Sequence, residues 1–477
     1  MKKFIAIILA AILVLSLAAC SGTGSTGTNT EANNTQSTQD NPGGPGGNPP
    51  DGTPPAGGPG GPGGPGGPGG SASDVTYTGS VEITSADSRS SEAYASTTAD
   101  ESALIVNTSD AVTLENITVT KSGDSDGGDS CNFYGLNAAL LVMGGSTTTI
   151  TGGTIESNAF GANGVFSYGG NGGSNGAAGD GTTVIIKDVT ITTTGSGSGG
   201  IMTTGGGVTK AYDLNVTTNG QSSAPIRTDR GGGTVYVEGG TFTSNGLGSP
   251  AIYSTADITV KGAKLISNLS EGVCIEGKNS ITLTDCDLTA NNTQMNGNAS
   301  FLDSIMIYQS MSGDADSGTS AFNMTGGSLT SRNGHMFHVT NTNAIITLEN
   351  VTIVNEDANG VLLSVCSDGW SGASNIATLN AVNQSLSGNI LVGSDSTLTL
   401  SLTNGSSFTG AIDGNITNAK GASVSTEVGA VSVTMDSGST WTLTGDTYIT
   451  EFNGDASSII SNGHKLYVNG VALTGTR

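Results

Sequence analysis

The chain has 477 residues, of which 76 are glycine and 11% are charged. Its 15 basic residues stand against 39 acidic residues, and the formal net charge of -24 repels nucleic acids, phosphate groups and anionic lipid surfaces. Acidic sugar polymers are repelled as well unless a metal ion bridges the charges, and the shortage of helix-forming residues favours extended, turn-rich structure.

Residues 1–20 are expected to form a targeting segment. Lys2 and Lys3 form a positively charged n-region, and the apolar stretch from Phe4 to Leu17 is shorter than a membrane span. Both features are typical of a signal peptide. The sequence Leu-Ala-Ala-Cys that ends at Cys20 resembles a bacterial lipobox. This resemblance implies that Cys20 is acylated and holds the protein on the extracellular face of a bacterial membrane. The alternative is an ordinary secretory peptide with a chance cysteine.

Residues 21–74 contain mainly Ser, Thr, Asn, Gly and Pro and almost no large apolar side chain, so they cannot form a core. Pro-Gly-Gly repeats run from Pro59 to Gly70, and they are too few and too rich in glycine for a collagen triple helix. We expect a disordered tether that carries the next domain away from the membrane.

From residue 75 onward the sequence repeats a short apolar alternation, a turn and a second alternation. The anchors of successive copies are Leu114, Ile150, Ile186, Ala211, Val237, Val260, Leu283, Met324 and Leu348. The steps between them are 36, 36, 25, 26, 23, 23, 41 and 24 residues, so the unit has 23 to 26 residues and the longer steps contain insertions. Such a unit cannot bury its apolar face alone but can do so by stacking on its neighbours, which predicts a β-solenoid.

Over residues 75–375 the chain resembles bacterial right-handed parallel β-helix proteins of the pectin-lyase-like superfamily. The resemblance implies an all-β fold, a right-handed parallel β-helix of about twelve coils. Residues 376–477 contain weaker copies around Leu379, Leu402 and Met435, and we expect degenerate coils and a C-terminal cap there. The sequence IISNGHKLYVNG, which begins at Ile459, predicts a hairpin in that cap.

A second alternating segment lies between the anchors, and aligning its copies predicts two columns of outward side chains. Ile226, Ile252, Val273 and Ile305 are expected to point inward. The first outward column is Phe166, Met202, Arg227, Tyr253, Cys274 and Met306, and the second is Tyr168, Thr204, Asp229, Thr255, Glu276 and Tyr308. We call these two columns the outer strip. The unusual cluster of Arg227, Asp229 and Arg230 is therefore one rung of a polar and aromatic surface.

The outer strip lies where ligands bind in families with this fold, and the insertions at 169–181 and 310–319 are expected to rise beside it. Its tyrosines offer flat faces for sugar rings, and its charged side chains offer directional hydrogen bonds to hydroxyl groups. The predicted ligand-binding residues are Arg227, Asp229, Arg230, Tyr253, Glu276 and Tyr308. The alternative is a solvated surface with a local Arg–Asp ion pair.

A catalytic strip is the second hypothesis. Asp229 and Glu276 are two coils apart, about 10 Å by strand spacing, which is at the wide end for the acid and base of an inverting glycosidase. The glycosidases of this fold carry Asn-Thr-Asp, Asp-Asp, Gly-His-Gly and Arg-Ile-Lys signatures, and this sequence contains none of them. Lyases of the fold use a calcium site beside a catalytic Arg or Lys, which Arg227 or Arg230 could only imitate, and Arg227 is the weak candidate for that role. We therefore expect binding rather than catalysis.

Two acidic loops are weak candidates for calcium, the one cofactor that the sequence suggests. They contain Asp124, Asp126 and Asp129 in the first loop, and Asp314 and Asp316 in the second. Neither loop has the later bidentate Glu of a calcium-loop signature, so solvated acidic turns are the favoured interpretation.

The remaining cysteines and histidines do not suggest a site. Cys131, Cys274, Cys286 and Cys366 lack metal-ligand spacing, and they are expected to be free thiols or to form one chance disulfide. His335, His338 and His464 are scattered, and they predict neither a zinc site nor a Ser-His-Asp triad.

Together these features predict a lipid-anchored, extracellular β-helix that binds a glycan or another cell-surface ligand and no nucleic acid. A polysaccharide-cleaving enzyme and a purely structural stalk are the competing hypotheses.

Overall fold

The computed structural model describes residues 75–125, 127–172, 178–310 and 312–477. Within these ranges the protein is a parallel β-helix, as the repeat predicts. The expected signal peptide, the lipobox with Cys20 and the tether lie outside the described residues. So do Asp126 of the first acidic loop, residues 173–177 of the first insertion and Met311 of the second.

One face of the coils is a sheet of 13 strands, each paired in parallel with the strand of the next coil. The number of strands agrees with the coil number predicted from the repeat. The strands are Thr78–Ile83, Glu101–Asn107, Leu140–Met143, Val165–Tyr168, Ile201–Thr204, Ile226–Thr228, Ile252–Ser254, Val273–Glu276, Asp303–Tyr308, His335–Thr340, Val361–Val365, Asn389–Val392 and Ile412–Asp413.

The remaining wall of the coils is a sheet of 22 strands, in which most coils contribute two strands. These strands are Asp87–Ser90, Ala93–Ser96, Ala111–Lys121, Thr147–Ser157, Thr183–Lys187, Thr190–Thr193, Gly207–Tyr212, Asn215–Thr218, Gly233–Glu238, Thr241–Ser244, Asp257–Lys261, Lys264–Ser267, Ser280–Thr284, Asp287–Ala290, Thr319–Thr325, Ser328–Ser331, Asn343–Glu349, Thr352–Asn355, Asn375–Val382, Ser396–Thr403, Ala430–Met435 and Glu451–Asn453.

The smaller elements lie near the C-terminus and in one insertion. The four-stranded sheet contains Ser385–Ser387, Ser407–Thr409, Thr440–Thr442 and Ile459–Ile460; the two-stranded sheet contains Asn415–Thr417 and Ser423–Thr426; the three-stranded sheet contains Thr447–Ile449, Leu466–Val468 and Val471–Ala472. The described helices are one α-helical turn, Asp129–Phe133, and a 3-10 turn, Ala456–Ser458. Neither is long and apolar enough to cross a membrane.

The predicted anchors form one continuous interior column. Leu114 pairs with Ile150, Ile150 with Ile186, and the ladder continues in the predicted order to Leu348. All nine anchors are buried in the same hydrophobic core. Stacking of like residues thus buries the apolar face that no single coil can bury.

A residue in the left-handed conformation follows each anchor, and in most of these coils it lies between two strands of the 22-stranded sheet. The residue two positions after each of the nine anchors, and after Ala381 in the next coil, has a φ between 46° and 70°. Those residues are Asn116, Gly152, Asp188, Asp213, Gly239, Gly262, Asp285, Gly326, Asn350 and Asn383. Only Gly, Asn and Asp occur there, because these residues adopt the left-handed conformation at the lowest cost.

The C-terminal region continues the coils and differs from the prediction in two details. Leu348 pairs with Ala381, two residues after the predicted Leu379, and Leu402 pairs with Met435. The hairpin predicted from Ile459 is wrong in its position, since Trp441 pairs in parallel with Ile459. The antiparallel hairpin joins Leu466–Val468 to Val471–Ala472 through an Asn-Gly turn, the sequence most favoured for a two-residue hairpin loop.

Candidate ligand-binding wall

The outer strip has the strand register that the sequence predicts. Its first column pairs Phe166 with Met202, Met202 with Arg227, and so on through Met306. In the second column, Tyr168 pairs with Thr204, and Glu276 pairs with Tyr308. The four residues predicted to point inward, Ile226, Ile252, Val273 and Ile305, belong to the interior core. The strip therefore lies on the outer side of the 13-stranded sheet.

The prediction that the outer strip reaches solvent is wrong. The exposed fraction is 3% for Arg227 and Asp229, 2% for Tyr253, 1% for Tyr308 and 0% for Glu276, and Arg230 is half-buried. Apolar side chains from the long connections cover the strip. Phe133 and Tyr134 pack on its N-terminal rungs, and Ala299 and Trp370 pack on the rungs of Tyr253 and Tyr308. The covering residues come from segments outside the repeat.

The charged rung consists of two ion pairs. Nη2 of Arg227 lies 2.8 Å from Oδ2 of Asp229, and Nη1 donates to the carbonyl oxygen of Ser222 at 3.0 Å. Arg230 reaches across 84 residues to Asp314, with Nη2 at 2.8 Å from Oδ1, and its guanidinium lies 4.1 Å from the ring centroid of Phe133. Through the pair of Arg230 and Asp314, the charged cluster therefore joins the second insertion, residues 310–319, to the outer strip.

Asp229 holds its proton unusually tightly. Burial raises the pKa of this carboxyl to about 7, although the neighbouring guanidinium of Arg227 acts in the opposite direction. A carboxyl group that titrates near neutral pH can exchange a proton under physiological conditions, which is the property required of a general acid or base.

Glu276 is the centre of a hydrogen-bond cluster. The hydroxyl groups of Tyr253 and Tyr308 donate to its Oε2 at 2.7 and 3.1 Å, and those of Ser310 and Ser312 donate to its Oε1. Burial raises the pKa of Glu276, while these hydrogen bonds oppose the rise. Both tyrosine hydroxyl groups are therefore engaged within the protein.

A second polar cluster, which the sequence analysis missed, continues the first column. His338 pairs with Met306, and Ser364 pairs with His338. Nδ1 of His335 and Nδ1 of His338 each lie 2.8 Å from Oγ of Ser364. The interpretation of these two histidines as scattered is wrong, because the ladder brings them together. Extending the aligned column by two coils would have revealed the contact.

Asp368 completes this cluster from the connection that follows. Its Oδ2 lies 3.4 Å from Nε2 of His338, and its Oδ1 accepts from the backbone and side chain of Ser300. Burial alone raises the pKa of Asp368, but His338 and Ser300 hold it below its usual value, so the carboxyl group is ionised. Phe301 packs against His335 and His338, and neither His338 nor Ser364 has exposed surface.

Ser364 joins the two imidazoles of this cluster. Burial, with a contribution from His338, lowers the pKa of His335 to about 4, so this imidazole is neutral near pH 7. Oγ of Ser364 can donate to one of the two Nδ1 atoms and accept from the other. Nε2 of His338 then faces the carboxylate of Asp368.

Aspartates of the two acidic loops form hydrogen bonds or ion pairs with other residues of the protein. Asp124 accepts from the backbone nitrogen of Phe160 at 2.8 Å, and Asp129 begins the α-helical turn, where burial raises its pKa. Asp314 pairs with Arg230, and Asp316 lies 2.7 Å from Nζ of Lys278. Among the described residues, no group of three or more His, Cys, Asp or Glu side chains is arranged to hold a metal ion.

The four cysteines that follow Cys20 are all buried. Cys274, Cys286 and Cys366 are free thiols, and Sγ of Cys131 lies 3.2 Å from Oγ of Ser125. Cys274 belongs to the apolar cluster beneath Ala299 and Trp370, so its thiol serves as a small packing group.

The chain shows no significant match to a protein-family model, a curated protein or a solved structure. The strand ladder itself defines the class: this is a parallel β-helix whose outer strip is covered by its own long connections.

Proposed function

We propose that the protein is a lipid-anchored β-helix of the pectin-lyase-like type, displayed on the extracellular face of a bacterial membrane, and that it binds carbohydrate. The lipobox ending at Cys20 and the tether of residues 21–74 support the location. The chain is rich in Ser, Thr and Asn and poor in charge. These uncharged polar side chains can form hydrogen bonds with the hydroxyl groups of polysaccharides.

The distribution of the long connections supports the binding role. The five longest connections between described strands all enter or leave the 13-stranded sheet: 122–139, 169–182, 291–302, 309–318 and 366–374. Where the 22-stranded sheet turns within a coil, two residues suffice, as at 188–189 and 262–263. In repeat proteins, insertions gathered on one side commonly mark the binding face. The outer strip and its cover are therefore the proposed binding wall.

A glycan array tests this proposal. Full-length protein in detergent, carrying a C-terminal label, is expected to bind a subset of glycans above the signal of the label alone. An absence of binding across the array would contradict the proposal and leave the structural stalk as the function.

Catalysis is the second candidate function, and one observation favours it. Asp229, with a pKa of about 7, and Glu276, whose pKa is also raised, lie on the same column of the wall. Raised pKa values suit the acid and base of a polysaccharide hydrolase, but both carboxyl groups are buried beneath the covering connections, so this function also requires the cover to open. Release of reducing ends, or of unsaturated products, from an array glycan that binds would support this function. The activity must disappear in the double variant Asp229→Asn, Glu276→Gln while binding remains.

A further inference from the structure

Four side chains beneath the cover of the outer strip form a chain of polar contacts, and we call them the histidine latch. Oγ of Ser364 lies 2.8 Å from Nδ1 of His335 and 2.8 Å from Nδ1 of His338. Nε2 of His338 lies 3.4 Å from Oδ2 of Asp368. His335 is half-buried, whereas the other three side chains have no exposed surface. His335 is therefore the member that a proton from solvent reaches first.

The contacts within the latch limit the number of protons that it can hold. A serine hydroxyl group has one hydrogen, so Ser364 can donate to one Nδ1 and accept from the other. This arrangement requires that one imidazole keeps an unprotonated Nδ1. If both Nδ1 atoms carry protons, the hydroxyl hydrogen is left with the carbonyl oxygen of Phe337 at 3.5 Å, which is long for such a bond. An additional proton therefore costs the latch a hydrogen bond.

His335 is the member of the latch that stays neutral near pH 7. Burial, with a contribution from His338, lowers the pKa of His335 to about 4, although Asp357 acts in the opposite direction. Asp303 pairs with His335 in the strand ladder, but burial raises the pKa of this carboxyl well above its usual value, so it supplies no negative charge in acid. Asp368 faces His338, so a second imidazolium group would lack a close partner of its own.

The connection 291–302 packs on the two imidazole rings. The ring centroid of Phe301 lies 5.4 Å from that of His335 and 4.7 Å from that of His338. Ala299, two residues earlier, packs on the tyrosines of the outer strip. A change in the charge of these rings therefore acts directly on this part of the cover.

Asp368 joins a second covering connection, the one that contains Trp370, to the same group. Its Oδ1 accepts from the backbone nitrogens of Ser300 and Gly369, each at 2.8 Å. The ring centroid of Trp370 lies 5.0 Å from that of Tyr308 in the outer strip. Both covering connections thus meet at one carboxylate of the latch.

We propose that the histidine latch is an acid-sensitive switch, in which protonation of His335 releases the connections 291–302 and 366–374 and uncovers the tyrosines of the outer strip. The released state removes the excess proton from the contact with Ser364 and places the charged imidazole in water. This inference rests on the proposed role of the outer strip as a binding wall, and it adds the condition under which that wall becomes accessible.

The direction of the pH effect follows from His335. A solvated imidazole titrates near pH 6.5 and the covered one near pH 4, so between these values the open state binds a proton that the closed state lacks. The stability that His335 gives to the closed cover is complete above pH 6.5 and is lost as the pH falls to 4. The equilibrium between closed and open cover is expected to shift by about 100-fold between pH 7 and pH 4.

Hydrogen exchange measured by mass spectrometry tests the switch on full-length protein in detergent at pH 7 and pH 4. Exchange rates are divided by the intrinsic rates at each pH to give protection factors. Peptides that contain the amides of Ser300 and Gly369 are expected to lose protection by about 100-fold at pH 4. The strand Gly207–Tyr212, which lies in the 22-stranded sheet, is expected to keep its protection within about 3-fold.

His335→Asn is the decisive variant, because its amide oxygen can accept a hydrogen bond from Ser364 but takes up no proton in this pH range. It is expected to keep the protection of both covering connections at pH 4. His464→Asn is the matched control, since His464 lies on the surface at 3.8 Å from Asp446. This control is expected to lose protection as the wild-type protein does.

Equal protection of the wild-type cover at pH 7 and pH 4 would overturn the switch, whether or not the variant folds. An equal loss in His335→Asn, or a loss that extends to the strand Gly207–Tyr212, would overturn it as well. The measurement needs no ligand, so a blank glycan array would contradict the proposed function and leave the latch standing. Array binding with unchanged protection would support the function and overturn the latch.

Discussion

Nε2 of His338 lies 3.4 Å from Oδ2 of Asp368, and neither side chain has any exposed surface. His338 comes from a strand of the 13-stranded sheet, and Asp368 comes from the connection that folds over that sheet. Because Asp368 also accepts from Ser300 in a third segment, one carboxylate joins the sheet to two of its covering connections.

Asp368→Asn is therefore expected to lower the free energy of unfolding by about 3 kcal/mol, since it removes the buried carboxylate that faces His338 and accepts hydrogen bonds from Ser300. Urea unfolding measures this loss. His464 and Asp446 form a surface counterpart at 3.8 Å with exposed side chains, so Asp446→Asn is the control and is expected to cost less than about 0.5 kcal/mol. Equal effects of the two variants would mean that Asp368 does not hold the cover.

Tyr308 provides a test of the covered strip. Tyr308→Phe removes one hydrogen bond to Glu276 and is expected to cost about 1–2 kcal/mol, whereas Tyr308→Ala opens a cavity and is expected to cost about 3–5 kcal/mol. Tyr448, which is 48% exposed, provides the control Tyr448→Ala. A thermal midpoint that is unchanged in Tyr308→Ala would show that the strip is open to solvent.

The core register is tested by Ile252→Asp. Ile252 is fully buried, and a carboxyl group there has no partner, so the adjacent coils are expected to unfold at a cost of several kcal/mol. The outward position Thr259 lies in the same coil, and Thr259→Asp is expected to leave the circular dichroism spectrum unchanged. Hydrogen exchange identifies the coils that lose their structure. Full protection of the backbone amides in Ile252→Asp would contradict the inward assignment of this column.

The raised pKa of Asp229 predicts a pH dependence of stability. The folded group titrates near pH 7, and the unfolded group near 4, so between these values the folded state binds a proton that the unfolded state has lost. The stability that this group contributes is complete below about pH 4 and is lost as the pH rises through 7. Asp229→Asn is expected to show a smaller fall than the wild-type protein, in which Glu276 and Asp129 also have raised pKa values, and Asp188→Asn, at an exposed turn, is expected to retain the full fall. Urea midpoints from pH 4 to 8 compare the three proteins.

The anchor prediction concerns Cys20. If the lipobox is processed, Cys20→Ala is expected to move the protein from the membrane fraction to the soluble fraction, because the acyl chains that hold it can no longer be attached. Ser21→Ala is the control and is expected to remain with the membrane. Unchanged membrane partitioning of Cys20→Ala would contradict the lipoprotein assignment.

The register of the strip could be predicted from the sequence because a period-two pattern fixes which residues face outward. Its burial could not, since the residues that cover it are single side chains in long connections outside the repeat. Phe133 lies 97 residues before Arg230, and Trp370 lies 62 residues after Tyr308. No local pattern signals that these pairs meet. Asp368 was missed for the same reason, because it belongs to no repeat.

Each left-handed turn is formed by a residue of the same coil and does not depend on other coils. Its conformation depends on one Gly, Asn or Asp within the coil itself, and each strand pairs only with the coils directly before and after it. Between Val237 and Leu283 two successive steps have the same length of 23 residues. Gene duplication in this stretch would insert a complete coil and lengthen the protein by about 4.8 Å, with the flanking turns unchanged. The binding wall can therefore evolve in length one coil at a time, without a new fold.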